Sequence, residues 1–324
     1  MPKKKILICG ITGFIGRNIL EHLLRKAEYD IYGTYFRTPL PASLLNATSA
    51  HLIKVDLTDK AQVDRIIKGV DIVIQAAATT SGAKDIVTKP YYHVTDNAVM
   101  NSLIFRSCFE HRVNHVVFFS CTTMYTEQPE PVKETDFHHE IIDKYFGVGW
   151  TKVYIEKMCE FYARISPAKY TAIRHSNIYG PYDKYDLERS HVFGATVAKV
   201  MNAHGGKLVV WGDGSDERDL LYVDDLVSFV DLAISKQTTP FELLNVGFGI
   251  SISVRDLVEK IIRHAGKSLK VEYDRSKPSI NFKLAINIDQ AKKVFGWAPR
   301  TTLDEGIKKS LAWYQKYYLE TQPV

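Results

Sequence analysis

Three glycines near the N-terminus constrain this chain more than any other feature. Gly10, Gly13 and Gly16 follow the apolar run Ile6-Leu7-Ile8-Cys9, and a helical pattern begins at Phe14 and Ile15. A strand, a glycine turn and a helix N-terminus in that order cradle a dinucleotide pyrophosphate. The phosphates need close backbone approach and the positive end of a helix aimed at them. Gly10 makes the tight turn. Gly13 removes a Cβ that would block the phosphate. Gly16 lets the helix pack close to the strand.

The rest of the first half repeats this alternation. Strands are predicted at Ile31–Tyr35, Leu52–Val55, Ile72–Gln75, His115–Ser120 and Tyr170–Arg174. Helical periodicity covers Phe14–Lys26, Lys60–Ile67, Asn97–His111 and Trp150–Arg164. That order predicts an α/β fold: a Rossmann-type, doubly wound parallel sheet with helices on both faces. Beyond Arg174 the pattern loosens into glycine-marked loops, with helices again at Tyr222–Ala233 and Val254–Ala265. The expected division is a dinucleotide-binding domain over 1–176, with 222–248 returning to it. Residues 177–221 and 249–324 would form a smaller C-terminal substrate-binding lobe over the cleft.

Bulk properties narrow the function. The 324 residues carry a net charge of +5, and charged residues make up 24%. The charges are dispersed, with no basic stripe interleaved with aromatics, so nucleic acid is not an expected partner. No apolar segment reaches membrane-spanning length, and no apolar run follows Lys3-Lys4-Lys5 as in a signal peptide. Cys9, Cys108, Cys121 and Cys159 lack paired spacing, which argues against a metal site or a disulfide framework and for a reducing cytoplasm.

Further segments lie in a distinctive order. They are Val55-Asp56-Leu57, Gln75-Ala76-Ala77-Ala78, Asn97 opening a helix, Arg174-His175-Ser176-Asn177-Ile178-Tyr179-Gly180-Pro181, Trp211-Gly212-Asp213-Gly214, Arg218-Asp219-Leu220-Leu221-Tyr222-Val223-Asp224-Asp225, Asn245-Val246-Gly247 and Phe295-Gly296-Trp297. Together they resemble the extended short-chain dehydrogenases/reductases that act on nucleotide-sugars, the epimerase/dehydratase/reductase group. Asn177 to Asp183, with Ser190-His191-Val192, is most similar to the GDP-fucose synthases, which epimerise and then reduce a GDP-4-keto-6-deoxy sugar. The resemblance implies that Asp56 and Leu57 meet the adenine, that Ala76, Ala77, Ala78 and Asn97 line the cofactor path, and that Asn177 shapes the sugar site. It makes His191 a candidate acid in epimerisation, and it makes Arg218 and Lys283 candidate partners of the nucleotide diphosphate. It also implies a homodimer through the helices Asn97–His111 and Trp150–Arg164, and a role in making a sugar for a surface glycan.

One position breaks the pattern. The superfamily moves the proton on the reacting oxygen with a Tyr four residues before a Lys. The ammonium lowers the phenol pKa and holds the nicotinamide ribose. Lys152 matches that lysine, but Val148 stands four residues before it and has no proton to give. The only Tyr-x-x-x-Lys in the chain, Tyr273 to Lys277, sits in a strand-like segment and reads as coincidence. Cys121 occupies the usual Ser/Thr position, flanked by Thr122 and Thr123, and a thiol is a weaker donor than a hydroxyl. Thr123 stands where the GDP-fucose synthases carry a catalytic cysteine. Three readings follow. The proton moves through another group, such as Tyr145, His191, Cys121, Thr123 or water. Alternatively, hydride chemistry persists at a lower rate, since loss of one general acid/base costs about 10²–10⁴-fold. Or the protein is a non-catalytic dinucleotide-binding regulator.

The expected cofactor is NADP or NAD. The acidic residue that selects NAD should end the second strand. Tyr35 occupies that place and Arg37 follows, which with Arg17 favours a 2′-phosphate and hence NADP.

Overall fold

In the computed structural model, residues 2–41, 44, 48–79, 91–187, 190–276 and 282–319 are described. The first half runs β1 (Lys4–Cys9), α1 (Phe14–Lys26), β2 (Tyr29–Tyr35), β3 (His51–Lys54), α2 (Lys60–Ile67), β4 (Ile72–Gln75), α3 (Tyr91–Glu110), β5 (His115–Cys121), α4 (Phe146–Ile165) and β6 (Lys169–His175). It continues with β7 (Asn177–Tyr179), α5 (Val192–Met201), β8 (Lys207–Trp211), β9 (Glu217–Tyr222), α6 (Val223–Lys236) and β10 (Phe241–Val246). The chain then closes with β11 (Ser251–Ser253), α7 (Val254–His264), β12 (Lys270–Asp274), β13 (Lys283–Leu284), α8 (Asp289–Phe295) and α9 (Leu303–Trp313).

Among the described residues, seven parallel strands form the main sheet in the order β10-β6-β5-β4-β1-β2-β3. Strand order reverses between β1 and β4, and such a switch point opens a crevice at the carboxyl ends of the strands. Alternation along β1 explains why both faces are covered. Ile6 and Ile8 enter one core with Ile19, Leu226 and Phe229, against α1 and α6. Leu7 and Cys9 enter the other with Val63, Phe105 and Ile155, against α2, α3 and α4.

The smaller lobe gathers around β9. It pairs with β7 and β13 in parallel and with β11 antiparallel, while β8 and β12 form a separate parallel pair. Tyr179, Phe193, Tyr222, Leu257 and Ile261 fill its core. The expected division placed 249–324 wholly in this lobe, but α8 belongs to the large sheet's core. Phe295 and Trp297 pack edge-on against Phe229 of α6, and the Trp297 indole donates to the Asp225 carbonyl at 3.1 Å. Asp219 ties the crossing segments together. Its buried carboxylate accepts the backbone N–H groups of Phe248 (2.7 Å), Gly249 (2.9 Å) and Ile286 (3.3 Å).

Two helix starts differ from the sequence reading. Asn97 does not open α3. It lies in the second turn, because its amide donates to His93 O at 2.9 Å and its remaining polar atoms bond the Thr79 backbone. The α4 helix begins at Phe146 with Tyr145 as N-cap, so Tyr145 reaches the start of the lysine helix.

A buried ion pair joins α4 to the sheet. The Arg174 guanidinium of β6 grips the Glu156 carboxylate of α4 at 2.7 and 3.0 Å, both side chains under 5% exposed. Ser120 of β5 donates to the same carboxylate at 2.5 Å, and Arg174 also donates to the Tyr125 hydroxyl at 2.9 Å. Removing one partner of such a pair strands a desolvated charge, whereas apolar replacement of both is far milder. Arg174→Met or Glu156→Leu alone should therefore lower unfolding stability by about 3–5 kcal/mol, with the double variant recovering much of the loss. Urea denaturation checks this, and single variants within about 1 kcal/mol of the parent would contradict it.

Candidate active site

The glycine cradle has the geometry a pyrophosphate needs. Gly10 holds a left-handed φ of +82°, and a Cβ there would stand 2.8 Å from Ala77 Cα. Its N–H is anchored on Thr34 at the end of β2, by the carbonyl and the hydroxyl, both at 3.1 Å. Gly13 is the N-cap of α1 and makes no side-chain cap bond. A Cβ on Gly13 would meet the Gly10 carbonyl at 3.3 Å and nothing else within 4 Å, so the space in front of the helix is open. The first N–H groups of a helix have no intrahelical acceptor, and here Phe14, Ile15 and Gly16 present them. A dinucleotide phosphate fits this cradle.

The loop after β4 forms the neighbouring wall. Gln75 donates to Ala77 O at 3.1 Å, and Asn97 clamps the Thr79 backbone through two bonds of 3.0 Å. These bonds hold the loop in place, with Ala77 against Gly10 of the cradle. Asn97 thus spends its amide on the loop. Asp56 lies beyond β3 and accepts from the Thr58 N–H and hydroxyl, at 2.9 and 2.6 Å, with Leu57 buried beside it. Arg37 is exposed, its guanidinium 5.6 Å from the Phe36 ring. Arg17 is buried, paired with Glu21 at 2.7 Å, and stacked 4.9 Å from the Tyr182 ring centre.

Polar side chains converge at the carboxyl ends of β5 and β6. Lys152 projects from α4 and donates to the Phe119 carbonyl at 2.7 Å, with its ammonium 4.8 Å from the Phe118 ring centre. Burial lowers its pKa, while Cys121 and Glu156 pull it back up. The Cys121 thiol lies 3.0 Å from the Thr123 hydroxyl, and Thr122 O accepts the Tyr125 N–H in the same turn. Burial raises the Tyr145 pKa. The phenol also feels the Arg218 cation, the Cys121 thiol and the Asp216 carboxylate. His191 stands at the N-cap position of α5 without a side-chain cap bond, and desolvation lowers its pKa, with Lys184 and Arg218 adding to the shift. Sequence reasoning passed over His175. It is the register partner of Cys121, and burial together with Lys152 and His191 pushes its pKa down to about 4. The signal lay in Arg174-His175-Ser176, a titratable residue at a predicted strand end.

The residues expected on the substrate side gather on β9 and its neighbours. Asn177 on β7 donates to Asp219 O at 3.3 Å. Arg218 donates to Glu217 O and Phe282 O, at 2.8 and 2.7 Å, and lies 3.6 Å from Asp216. Lys283 on β13 is exposed and paired with Glu217 at 3.0 Å, brought there by the β13–β9 register. Tyr273 sits in β12, away from the Lys152 helix, and Lys277 lies outside the described residues. A separate open groove of about 440 Å³ beside Lys3, Tyr29 and Asp30 lies at the amino ends of the strands, opposite the crevice where such sheets bind ligands.

The NAD dependent epimerase/dehydratase family model matches residues 6–247. The chain is 26% identical to the GDP-L-colitose synthase of Yersinia pseudotuberculosis, over 96% of this chain and 97% of that protein. It is 25% identical to the GDP-L-fucose synthase of Escherichia coli strain K12, over 97% of both. The UDP-glucose 4-epimerase of Thermotoga maritima, solved with UDP-glucose, superimposes with a TM-score of 0.85 at 25% identity, covering 97% of this chain and 99% of that one. Since the family match runs from the strand before the glycine cradle to the last strand of the main sheet, the chain belongs to the NAD dependent epimerase/dehydratase family.

Proposed function

We propose that this protein carries out NAD(P)-dependent redox chemistry at C4 of a nucleotide-activated sugar, with GDP-sugars favoured and epimerisation through a 4-keto intermediate compatible. One observation carries the reading. The Tyr145 phenol lies within electrostatic reach of both Cys121, the neighbour of Lys152, and Arg218, which brings the proposed redox centre close to the proposed diphosphate cation. Relatives named for GDP-sugars over nearly the whole chain support the choice of substrate. The proposed setting is cytoplasmic synthesis of a surface-glycan sugar. The proposed division keeps the substrate lobe over 177–221 and 249–324, with α8 docked on the large sheet.

The bound cofactor supplies or accepts the hydride. The chain's own residues do the rest. The open N-terminus of α1 takes the pyrophosphate, and Lys152 holds the nicotinamide ribose hydroxyls. Cys121 and Thr123 face the reacting oxygen. In the direction of reduction, the proton on that oxygen comes from the Tyr145 hydroxyl, whose raised pKa keeps it protonated at neutral pH. His191 serves as the acid in any epimerisation. Arg218 and Lys283 face the diphosphate, where charge-assisted bonds are strongest. Exposed Arg37 makes NADP the preferred cofactor. A second reading, a dinucleotide-binding regulator without turnover, is favoured by Val148 four residues before Lys152.

Nicotinamide absorbance, followed with GDP-, UDP-, dTDP- and CDP-sugars and their 4-keto forms, separates the two readings. Turnover with a GDP-sugar is expected. Tyr145→Phe should then reduce kcat by about 10²–10⁴-fold. Lys152→Met should abolish turnover. Full activity in Tyr145→Phe would remove Tyr145 as proton carrier. Absence of any change in cofactor or sugar, with both bound, would favour the regulator.

We also propose a homodimer through α3 and α4. Tyr154, Phe161 and Ile165 on α4, and Val99 and Phe109 on α3, are exposed apolar side chains. Tyr154 and Phe161 are two turns apart and share a face. Light scattering should give twice the chain mass, and Tyr154→Glu with Phe161→Glu should give the monomer. A monomeric parent protein would contradict the assignment.

A further inference from the structure

We propose that His175 holds the carboxamide amine of the bound nicotinamide, accepting its N–H at Nε2. This inference rests on the cofactor reading above and concerns a residue with no role in it so far.

Position comes first. The pyrophosphate cradle follows β1, and β4, β5 and β6 lie successively to one side of it. Adjacent strands are about 4.8 Å apart, so the end of β6 lies roughly 14 Å from the cradle, a span that phosphate, ribose and nicotinamide can bridge together with the His175 side chain. A nicotinamide ribose held by Lys152 beside β5 would direct the ring toward the ends of β5 and β6. His175 is the last residue of β6, paired in register with Cys121 on one side and Val246 on the other. Strand alternation turns Arg174 toward α4 and His175 to the opposite face, beside the Phe119 ring at 6.3 Å.

Chemistry comes second. The His175 Nδ1 lies 2.8 Å from the Ser176 carbonyl. A carbonyl only accepts, so Nδ1 carries the hydrogen and Nε2 carries a lone pair. No described residue partners Nε2, and the residue is half-buried rather than sealed in the core. A fixed acceptor at the far end of the nicotinamide pocket complements an amide N–H donor. Desolvation and the neighbouring Lys152 keep the ring neutral at physiological pH, which preserves that acceptor. The consequence is control over which face of the nicotinamide meets the sugar.

Three ligands test this on the full-length protein: NADH or NADPH, whichever binds; ADP-ribose, which lacks the nicotinamide; and the 3-acetylpyridine analogue, in which a methyl replaces the carboxamide amine. Dinucleotide binding is read by nicotinamide fluorescence, and the other two by calorimetric titration. His175→Phe should weaken the reduced dinucleotide about tenfold. It should leave ADP-ribose unchanged and bring no further loss for the acetylpyridine analogue. His175→Gln, which keeps an acceptor, should recover part of the loss. Equal weakening of ADP-ribose would show a merely structural role and overturn the proposal. So would a His175→Phe variant that still prefers carboxamide over acetyl by the parent's ratio, leaving the ring to a sugar hydroxyl. A parent protein that binds neither dinucleotide nor ADP-ribose would overturn the cofactor reading and this inference with it. One that binds both while His175→Phe changes nothing would overturn this inference alone.

Discussion

The buried pair of Glu156 and Arg174 is the constraint on which the rest of the site depends. Two charges removed from water are costly, and only close geometry with further hydrogen bonds offsets that cost. Both conditions hold here, with Ser120 and Tyr125 completing the network. The network fixes α4 relative to β5 and β6 at the level of the crevice. Lys152 lies one turn before Glu156 on the same helix, so the clamp sets where its ammonium can reach. The bond to the Phe119 carbonyl is the visible result. Tyr125 passes the restraint on by donating to Asn245 Oδ1 at 2.8 Å, and the Asn245 backbone N–H donates to the Glu134 carboxylate at 2.7 Å. The ends of β5, β6 and β10 are thus held by one polar cluster under an otherwise apolar sheet.

Much of this was legible in the sequence, because local rules governed it. The first helix, the second helix and the fourth strand have the bounds that periodicity and glycine placement predict. The cradle was readable for the same reason, since strand, turn and helix are contiguous. Asn97 misled because an Asn before an amphipathic run resembles a cap. Its partner is Thr79, a loop residue that periodicity does not register. His175 was missed because its neighbourhood is made across strands. A register that sets it opposite Cys121 leaves no trace in spacing along the chain. The docking of α8 on the large sheet was hidden likewise, since Phe295 and Trp297 find Phe229 only in three dimensions.

The diphosphate side shows a different balance. Arg218 and Lys283 are already engaged, the first by backbone carbonyls and the second by Glu217. Arg218 is held in place by two backbone carbonyls, and the Asp216 carboxylate 3.6 Å away offsets part of its charge. Lys283 is an exposed pair with little energy at stake. In the proposed site an incoming dianion would meet a rigid guanidinium and an ammonium that is easily drawn away, so the two cations would contribute to binding in unlike ways.

The order of strands has a consequence for how the chain is made. The edge strand β10 closes the main sheet beside β6, yet the whole of β7, α5, β8, β9 and α6 lies between them in sequence. Until Phe241–Val246 has emerged from the ribosome, β6 presents a bare row of N–H and C=O groups. Such an edge pairs readily with other chains. Nascent molecules are therefore exposed to association through β6 during the synthesis of the segment between β6 and β10, and the length of that segment sets the duration of the exposure.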